Sequence, residues 1–292
     1  MLVIRVQGGL GNQMFQYALG RYFAQRDNAE VVYDISSYRQ DQLRDYELPV
    51  WRIQPRLMDE ADQVLLPGRY GGLGWKGRLF GKQPLKRVKE KPFGFHPKYL
   101  QPQRHAYYDG YWQSEKFFPG LRNELVAAFQ PTQSIGRRTA EVAGQIESTN
   151  AVALHVRRTD YLKITAMQSC GLDYYEDCMA ELLERHTGLE VFVFSDDLAW
   201  CEENLSFNCP MHFIGHNSAA KAHEDLWLMS LCRRHVIPNS TFSWWSAWLK
   251  QDQEGEVYAP SPWFNDPKLD GSHLAPEHWL NRPSAAARRL AA

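Results

Sequence analysis

Residues Asn150 to Asp160 read Asn-Ala-Val-Ala-Leu-His-Val-Arg-Arg-Thr-Asp, and this stretch decides the fold. Ala151, Val152, Ala153, Leu154 and Val156 form a short apolar run, the pattern of a strand buried on both faces of a parallel sheet. His155, Arg157, Arg158 and Asp160 fall where the carboxyl end of such a strand lies. That edge is where open α/β sheets bind ligands. Two adjacent guanidiniums there need anions. One reading is a phosphate or pyrophosphate clamp, because the planar fork of arginine matches phosphate oxygens with two parallel hydrogen bonds. The other is a surface pair bridging to local carboxylates.

Downstream the chain alternates regularly. Asp173 to His186 is amphipathic, with Gly188 as its cap, and Val191 to Phe194 is a strand ending in Ser195-Asp196-Asp197. Met211 to Ile214 reads as a strand, Ala222 to Cys232 as a helix and His235 to Pro238 as a strand. The last runs into Asn239-Ser240-Thr241-Phe242, where another helix starts, and Val257 to Ala259 is a short final strand. Such alternation predicts a doubly wound parallel sheet. The Asn239/Ser240/Thr241 cluster is either ordinary helix capping or an anion site assisted by the helix dipole. Asp196 and Asp197 suit base or sugar groups, with one of them capping the next helix. Trp244, Trp245 and Trp248 lie at i, i+1 and i+4 of a helix, a spacing that points to packing more than to a sugar platform.

Upstream, Leu2 to Gln7 is a strand, Gly8-Gly9-Leu10-Gly11-Asn12-Gln13 a turn, Met14 to Gln25 a helix and Val31 to Asp34 a second strand. Gly9-x-Gly11 with Asp34 about 20 residues on is similar to a dinucleotide fingerprint, but Met14 stands where the third glycine belongs. A glycine loop approaching some other ligand remains. Tyr107 to Trp112 is an aromatic strand, Ser114 caps a helix towards Leu121, and Arg122 to Phe129 and Gln133 to Ser148 are helices. The boundaries predicted are a first domain over 1–149, a second over 150–275, and a tail over 276–292 that packs back on the first.

The composition is that of a folded protein, 44% apolar and 23% charged, with 33 basic against 34 acidic residues. Charge so balanced offers no global attraction for nucleic acid. Five cysteines with no Cys-x-x-Cys pair argue against a disulfide framework and a structural zinc, and no metal-ligand motif stands among the ten histidines. The start lacks a signal-type n-region, and no apolar run approaches the roughly 20 residues needed to span a bilayer. A cytoplasmic location is expected. Residues 67–92, rich in glycine, lysine and arginine with Glu90 as the single acid, form either a solvated excursion or a peripheral contact with an anionic membrane face.

Five stretches together carry a resemblance. They are Gly8-Gly9-Leu10-Gly11-Asn12-Gln13-Met14-Phe15-Gln16-Tyr17, Gly110-Tyr111-Trp112-Gln113-Ser114-Glu115-Lys116, His155-Val156-Arg157-Arg158-Thr159-Asp160, Phe194-Ser195-Asp196-Asp197, and Asn239-Ser240-Thr241-Phe242-Ser243-Trp244-Trp245. In this order over nearly the full length, the chain resembles the bacterial α-1,2-fucosyltransferases of glycosyltransferase family eleven. The resemblance implies a GT-B architecture, two Rossmann-like α/β domains with parallel sheets facing a cleft. It further implies GDP-β-L-fucose as donor, no metal or other cofactor, and inverting transfer to a galactose 2-hydroxyl of a glycan acceptor, lipid-linked forms included.

On this reading Arg157 holds the diphosphate, with His155, Arg158, Asp196, Asn239, Ser240, Thr241 and Phe242 around the donor. Gly9, Gly11, Asn12 and Gln13 complete the donor side, while Tyr111, Trp112 and Gln113 face the acceptor. Arg158 has a structural alternative, pairing with Asp160 or another acid. Glu115, Asp160 and Asp34 are the candidate bases by residue type. Two rivals stand beside this, a dinucleotide-dependent oxidoreductase and a non-catalytic sugar-binding module.

Overall fold

The structure is a computed structural model that describes residues 1–63, 65–66, 84–91, 94–159 and 170–284. Two compact units share the chain, Met1–Phe129 and Gln130–Ala292. The boundary expected near Thr149 therefore falls about twenty residues earlier. Helix α4 (Arg137–Glu147), which begins four residues later than expected, goes with the second unit because Val142, Ala143 and Ile146 pack beneath the second sheet.

The first unit is a four-stranded parallel sheet. Its strands are β1 (Leu2–Arg5), β2 (Val31–Asp34), β3 (Lys86–Lys89) and β4 (Ala106–Asp109), in the order β2-β1-β4-β3. Helix α1 (Leu10–Asp27) follows β1 directly, with Gly8 in the left-handed region at φ 80° and Gly9 as N-cap, and the single-turn helix α2 (Glu60–Gln63) lies between β2 and β3. The glycine turn is thus shorter than expected, and Gly11, Asn12 and Gln13 belong to the first helical turn. Strand β3 lies inside the segment read as a basic excursion, of which residues 67–83 and 92 are outside the described residues. Its Arg87 is held by Asp109 of β4 at 3.0 Å, which is how so charged a strand joins a sheet edge. The expected helix after Ser114 is a single 3-10 turn, Glu115–Phe117, and is followed by α3 (Arg122–Ala128).

The second unit carries β5 (Asn150–Val156), α5 (Leu172–Arg185), β6 (Leu189–Ser195), α6 (Leu198–Asn204), β7 (Met211–Ile214) and α7 (Ala222–Leu231). Then come β8 (Arg234–Val236), α8 (Thr241–Leu249), β9 (Val257–Ser261) and β10 (Leu280–Pro283). The six parallel strands run in the order β10-β9-β8-β5-β6-β7. This is the doubly wound order, with its switch point between β5 and β8.

Alternate residues of β5 feed opposite cores. Val152, Leu154 and Val156 pack with Tyr174, Cys178 and Met179 of α5, whereas Ala151 and Ala153 pack with α4 and with Leu228 and Met229 of α7. Burial on both faces is why the strand reads as a continuous apolar run. The tail expected to return to the first unit instead supplies β10 beside β9, fastened by Arg282 to Glu181 of α5 at 2.6 Å.

Candidate active site

Each sheet places the predicted residues at its switch point. In the second unit the chain leaves β5 through Arg157, Arg158 and Thr159, and Asp196 organises that exit. Its carboxylate accepts from the Arg158 amide at 2.9 Å, the Thr159 amide at 3.2 Å and the Thr159 hydroxyl at 2.5 Å, and it meets Arg157 Nε at 3.3 Å. Asp196 is thus a scaffold for the arginine loop. Asp197 is the helix cap, accepting from the Trp200 amide at 3.3 Å.

Arg158 divides from Arg157. Its Nε lies 3.1 Å from Asp197, and its guanidinium carbon sits 3.8 Å from the centre of the Trp200 ring. Stacked and paired, Arg158 takes the structural role left open by its sequence, with Asp197 as the acid. Arg157 keeps about a quarter of its side chain exposed (26%) at the ligand edge of the sheet. Asp160 lies outside the described residues.

His155 points to the face opposite α5. It is buried, its Nδ1 has no hydrogen-bond partner, and its ring lies 5.8 Å from that of Phe242. Desolvation first, then the charge of Arg157, lowers its pKa to about 3, with Asp196 opposing. The imidazole is therefore neutral at any ordinary pH. An orphaned ring nitrogen is costly unless a partner arrives.

On the neighbouring strand, β8 exits through Pro238, buried Asn239 and Ser240 into α8. Ser240 is the N-cap with extended backbone (φ −116°, ψ 128°), but its side chain makes no capping hydrogen bond. The first amides of a helix have no carbonyl four residues back. Those of Thr241 and Phe242 consequently open at the switch point together with the positive end of the dipole. Trp244, Trp245 and Trp248 are buried against one another, and Trp244 Nε1 donates to the Leu274 carbonyl at 2.6 Å. They are packing, which removes the observation behind a sugar-binding module.

In the first unit the exits of β1 and β4 meet. Gln113 Nε2 donates to Asn12 Oδ1 at 2.6 Å, tying α1 to the loop after β4. A side chain at Gly8 would bring a Cβ within 2.6 Å of Asn12 Nδ2, so the close approach requires glycine as well as the positive φ. Other expectations fail on hydrogen-bond accounting. Gln13 is fully buried, donates to the Gly8 and Asp45 carbonyls and accepts from the Glu47 amide, so its amide is spent within the unit. Asp34 accepts from the Tyr107 hydroxyl at 2.8 Å and the Ser36 amide at 2.9 Å, serving neither as a base nor as the ribose ligand a dinucleotide site needs. Trp112 is buried at φ 58° among Tyr99, Tyr108 and Phe117, so it is core and not an acceptor platform. Tyr111 and Glu115 remain half-buried, Gly9 is the N-cap of α1 and Gly11 lies in its first turn.

Sequence reasoning missed two carboxyl groups. Glu90 accepts from the Tyr111 and Trp112 amides at 2.6 and 3.0 Å and so shapes the loop that carries Gln113. Burial raises its pKa to about 7, against those two hydrogen bonds, and Asp109 adds to the rise. Its solitary acid among basic residues was the available signal. Asp225, in the first turn of α7, is pushed up to about 6 by burial despite a 2.7 Å hydrogen bond from Asn217. Its signal was lost among ordinary acidic residues at a helix start. Among the described residues no group of three or more His, Cys, Asp or Glu side chains could hold a metal, and no helix is long and apolar enough to cross a membrane.

Residues 96–280 match the model of glycosyl transferase family 11. The chain belongs to this family. It is 33% identical over 294 residues to an alpha-1,2-colitosyltransferase of Escherichia coli, covering 96% of this chain and 98% of that protein. It is 30% identical over 302 residues to the O-antigen biosynthesis glycosyltransferase WbnK of Escherichia coli, covering 94% and 98%. Among solved structures, the fucosyltransferase NodZ from Bradyrhizobium aligns over 84% of this chain and 91% of its own at 14% identity and a TM-score of 0.41. For this family 11 glycosyltransferase the α/β assignment stands on its own strand order, two parallel sheets with polar exits at both switch points.

Proposed function

We propose that this enzyme transfers L-fucose, or its 3-deoxy analogue colitose, from a GDP-sugar to the 2-hydroxyl of a galactose unit in a glycan, with inversion at the anomeric carbon. The observation that carries the reading is the pairing of β5 with β8, which sets Arg157 and neutral His155 beside the open start of α8. The names of the relatives supply the sugar class and the α-1,2 linkage. As the glycosidic bond to the nucleotide breaks, negative charge gathers on the departing β-phosphate. Arg157 and the amides of Thr241 and Phe242 meet that charge in place, without reorganising. Asp196 fixes Arg157, and the His155 ring nitrogen finds in the bound donor the partner it lacks.

The acceptor hydroxyl loses its proton to a carboxylate, of which Glu115 and Asp160 remain the candidates, or to the leaving phosphate itself. No divalent cation is needed in this scheme. Incubation with lactose and either GDP-fucose or GDP-colitose, with and without EDTA, tests it by mass and linkage analysis. The expected product carries a new α-1,2 bond at an EDTA-insensitive rate. A strong preference for one donor would report whether the site hydrogen-bonds the 3-hydroxyl, since a site built for a hydroxyl rejects the analogue lacking it. Transfer to another position, or none from either donor, contradicts the proposal.

A further inference from the structure

A cavity of about 610 Å³ opens in the second unit at the carboxyl end of β9. It is walled by the irregular crossover from Pro262 to Trp279 that joins β9 to β10 and takes the place of a helix. The crossover is well fastened. Trp263, Phe264, Leu274 and Trp279 are buried, Trp244 holds the Leu274 carbonyl, and a Cβ at Gly271 would stand 2.7 Å from that of Trp263. The wall is therefore a built surface, and its volume falls in the range of small-ligand sites.

Its chemistry differs from that of the phosphate edge. Among the described residues the lining carries the carboxyl groups of Asp266 and Asp270, the amide of Asn281 and the hydroxyl of Ser272 among aromatic and proline surfaces, and no lysine, arginine or histidine. Asp270 is held ionised, its pKa lowered chiefly by hydrogen bonds from the Ser272 hydroxyl at 2.6 Å and amide at 3.0 Å. His273 stands 3.7 Å from its other oxygen without lining the cavity. Two carboxylates with no cation repel phosphates and sulfates. Carboxylate, amide and aromatic surface together suit a neutral sugar, whose hydroxyls donate while its ring face packs on apolar atoms. In the order β9-β8-β5 the cavity lies two strand spacings from the Arg157 exit, roughly 10 Å along the same sheet edge.

We infer that this cavity is a subsite for a neutral hexosyl unit of the acceptor glycan, beyond the galactose that is modified. The inference rests on the proposed transferase reading and adds a determinant of acceptor length. The test is calorimetric titration of the full-length protein, without donor, with a neutral tetrasaccharide ending in β-galactose and with lactose. It compares wild type, Asp266→Asn and Asn281→Ala, the second variant lying on a strand and leaving the crossover turns intact. Asn281→Ala removes one such hydrogen bond and Asp266→Asn removes the charge that strengthens another, so each should weaken tetrasaccharide binding about tenfold, while turnover of lactose stays unchanged.

Unaltered tetrasaccharide binding in both variants, or displacement of the tetrasaccharide by GDP, overturns the inference even where transfer to lactose is intact. If binding is sensitive to the variants but wild type transfers no sugar, the transferase reading falls instead and the cavity stands as a sugar site.

Discussion

Replacing Glu90 by Gln should stabilise the protein in alkaline solution and do nothing in acid. The Glu90 carboxyl is nearly inaccessible to solvent and accepts two backbone amides, and its pKa stands near 7 against an ordinary value of 4.5. A pKa raised on folding means that the folded state prefers the protonated carboxyl. Its favourable contribution is complete below pH 4.5 and is lost as pH climbs through 7. A rise from 4.5 to about 7 corresponds to about 3 kcal/mol by pH 8.5. Glutamine keeps an acceptor oxygen for both amides and cannot ionise, so E90Q avoids that loss.

At roughly 3 °C per kcal/mol for a domain of this size, the variant should melt roughly 9 °C above wild type at pH 8.5. The two should coincide below pH 4.5. Scanning calorimetry of both proteins from pH 4 to 9 gives the comparison directly. Parallel Tm profiles across that range would refute the reasoning, because they would mean that Glu90 ionises in the folded protein as readily as in the unfolded one.

Two further outcomes follow from the second unit. Asp196→Asn keeps the shape of the scaffold but removes its charge from Arg157 and from the two amides it holds, so GDP affinity and kcat should both fall about tenfold or more; an unchanged Kd for GDP would show that the loop stands without it. His155 has its pKa lowered to about 3, so its contribution to stability is present above pH 6.5 and is lost as pH falls below that towards 3. His155→Gln should therefore flatten acid unfolding between pH 6 and 4, measured by circular dichroism, and an identical acid midpoint would count against the burial argument.

The parts of the fold legible in the sequence were those whose burial is two-sided. β5 and β6 announce themselves because both faces are covered, and the polar residues at their ends stand out against the apolar run. β3 and β10 did not, for the opposite reason. Lys86–Lys89 and Leu280–Pro283 are edge strands whose arginines are neutralised across the sheet or from α5, and such pairings leave no periodic trace.

The candidate site shows the same division. Residue types flagged Arg157, His155 and the start of α8 correctly as a group on neighbouring strands. Spacing did not reveal that Gln13, Asp34, Asp196 and Arg158 are consumed by local partners, since Asp45 and Glu47 reach Gln13 from a loop more than thirty residues on. The reverse holds for Glu90, where two backbone amides make a functional-looking carboxyl out of an acid that belongs to a basic run.

On the proposed mechanism, fixed positive groups at the ends of β5 and β8 carry the leaving nucleotide. The single-turnover rate of Arg157→Ala with saturating GDP-fucose and lactose tests it most directly. Loss of about 3 kcal/mol of transition-state stabilisation predicts a rate lowered roughly a hundredfold or more, with the fold and Tm retained. A rate within a few-fold of wild type would contradict the account.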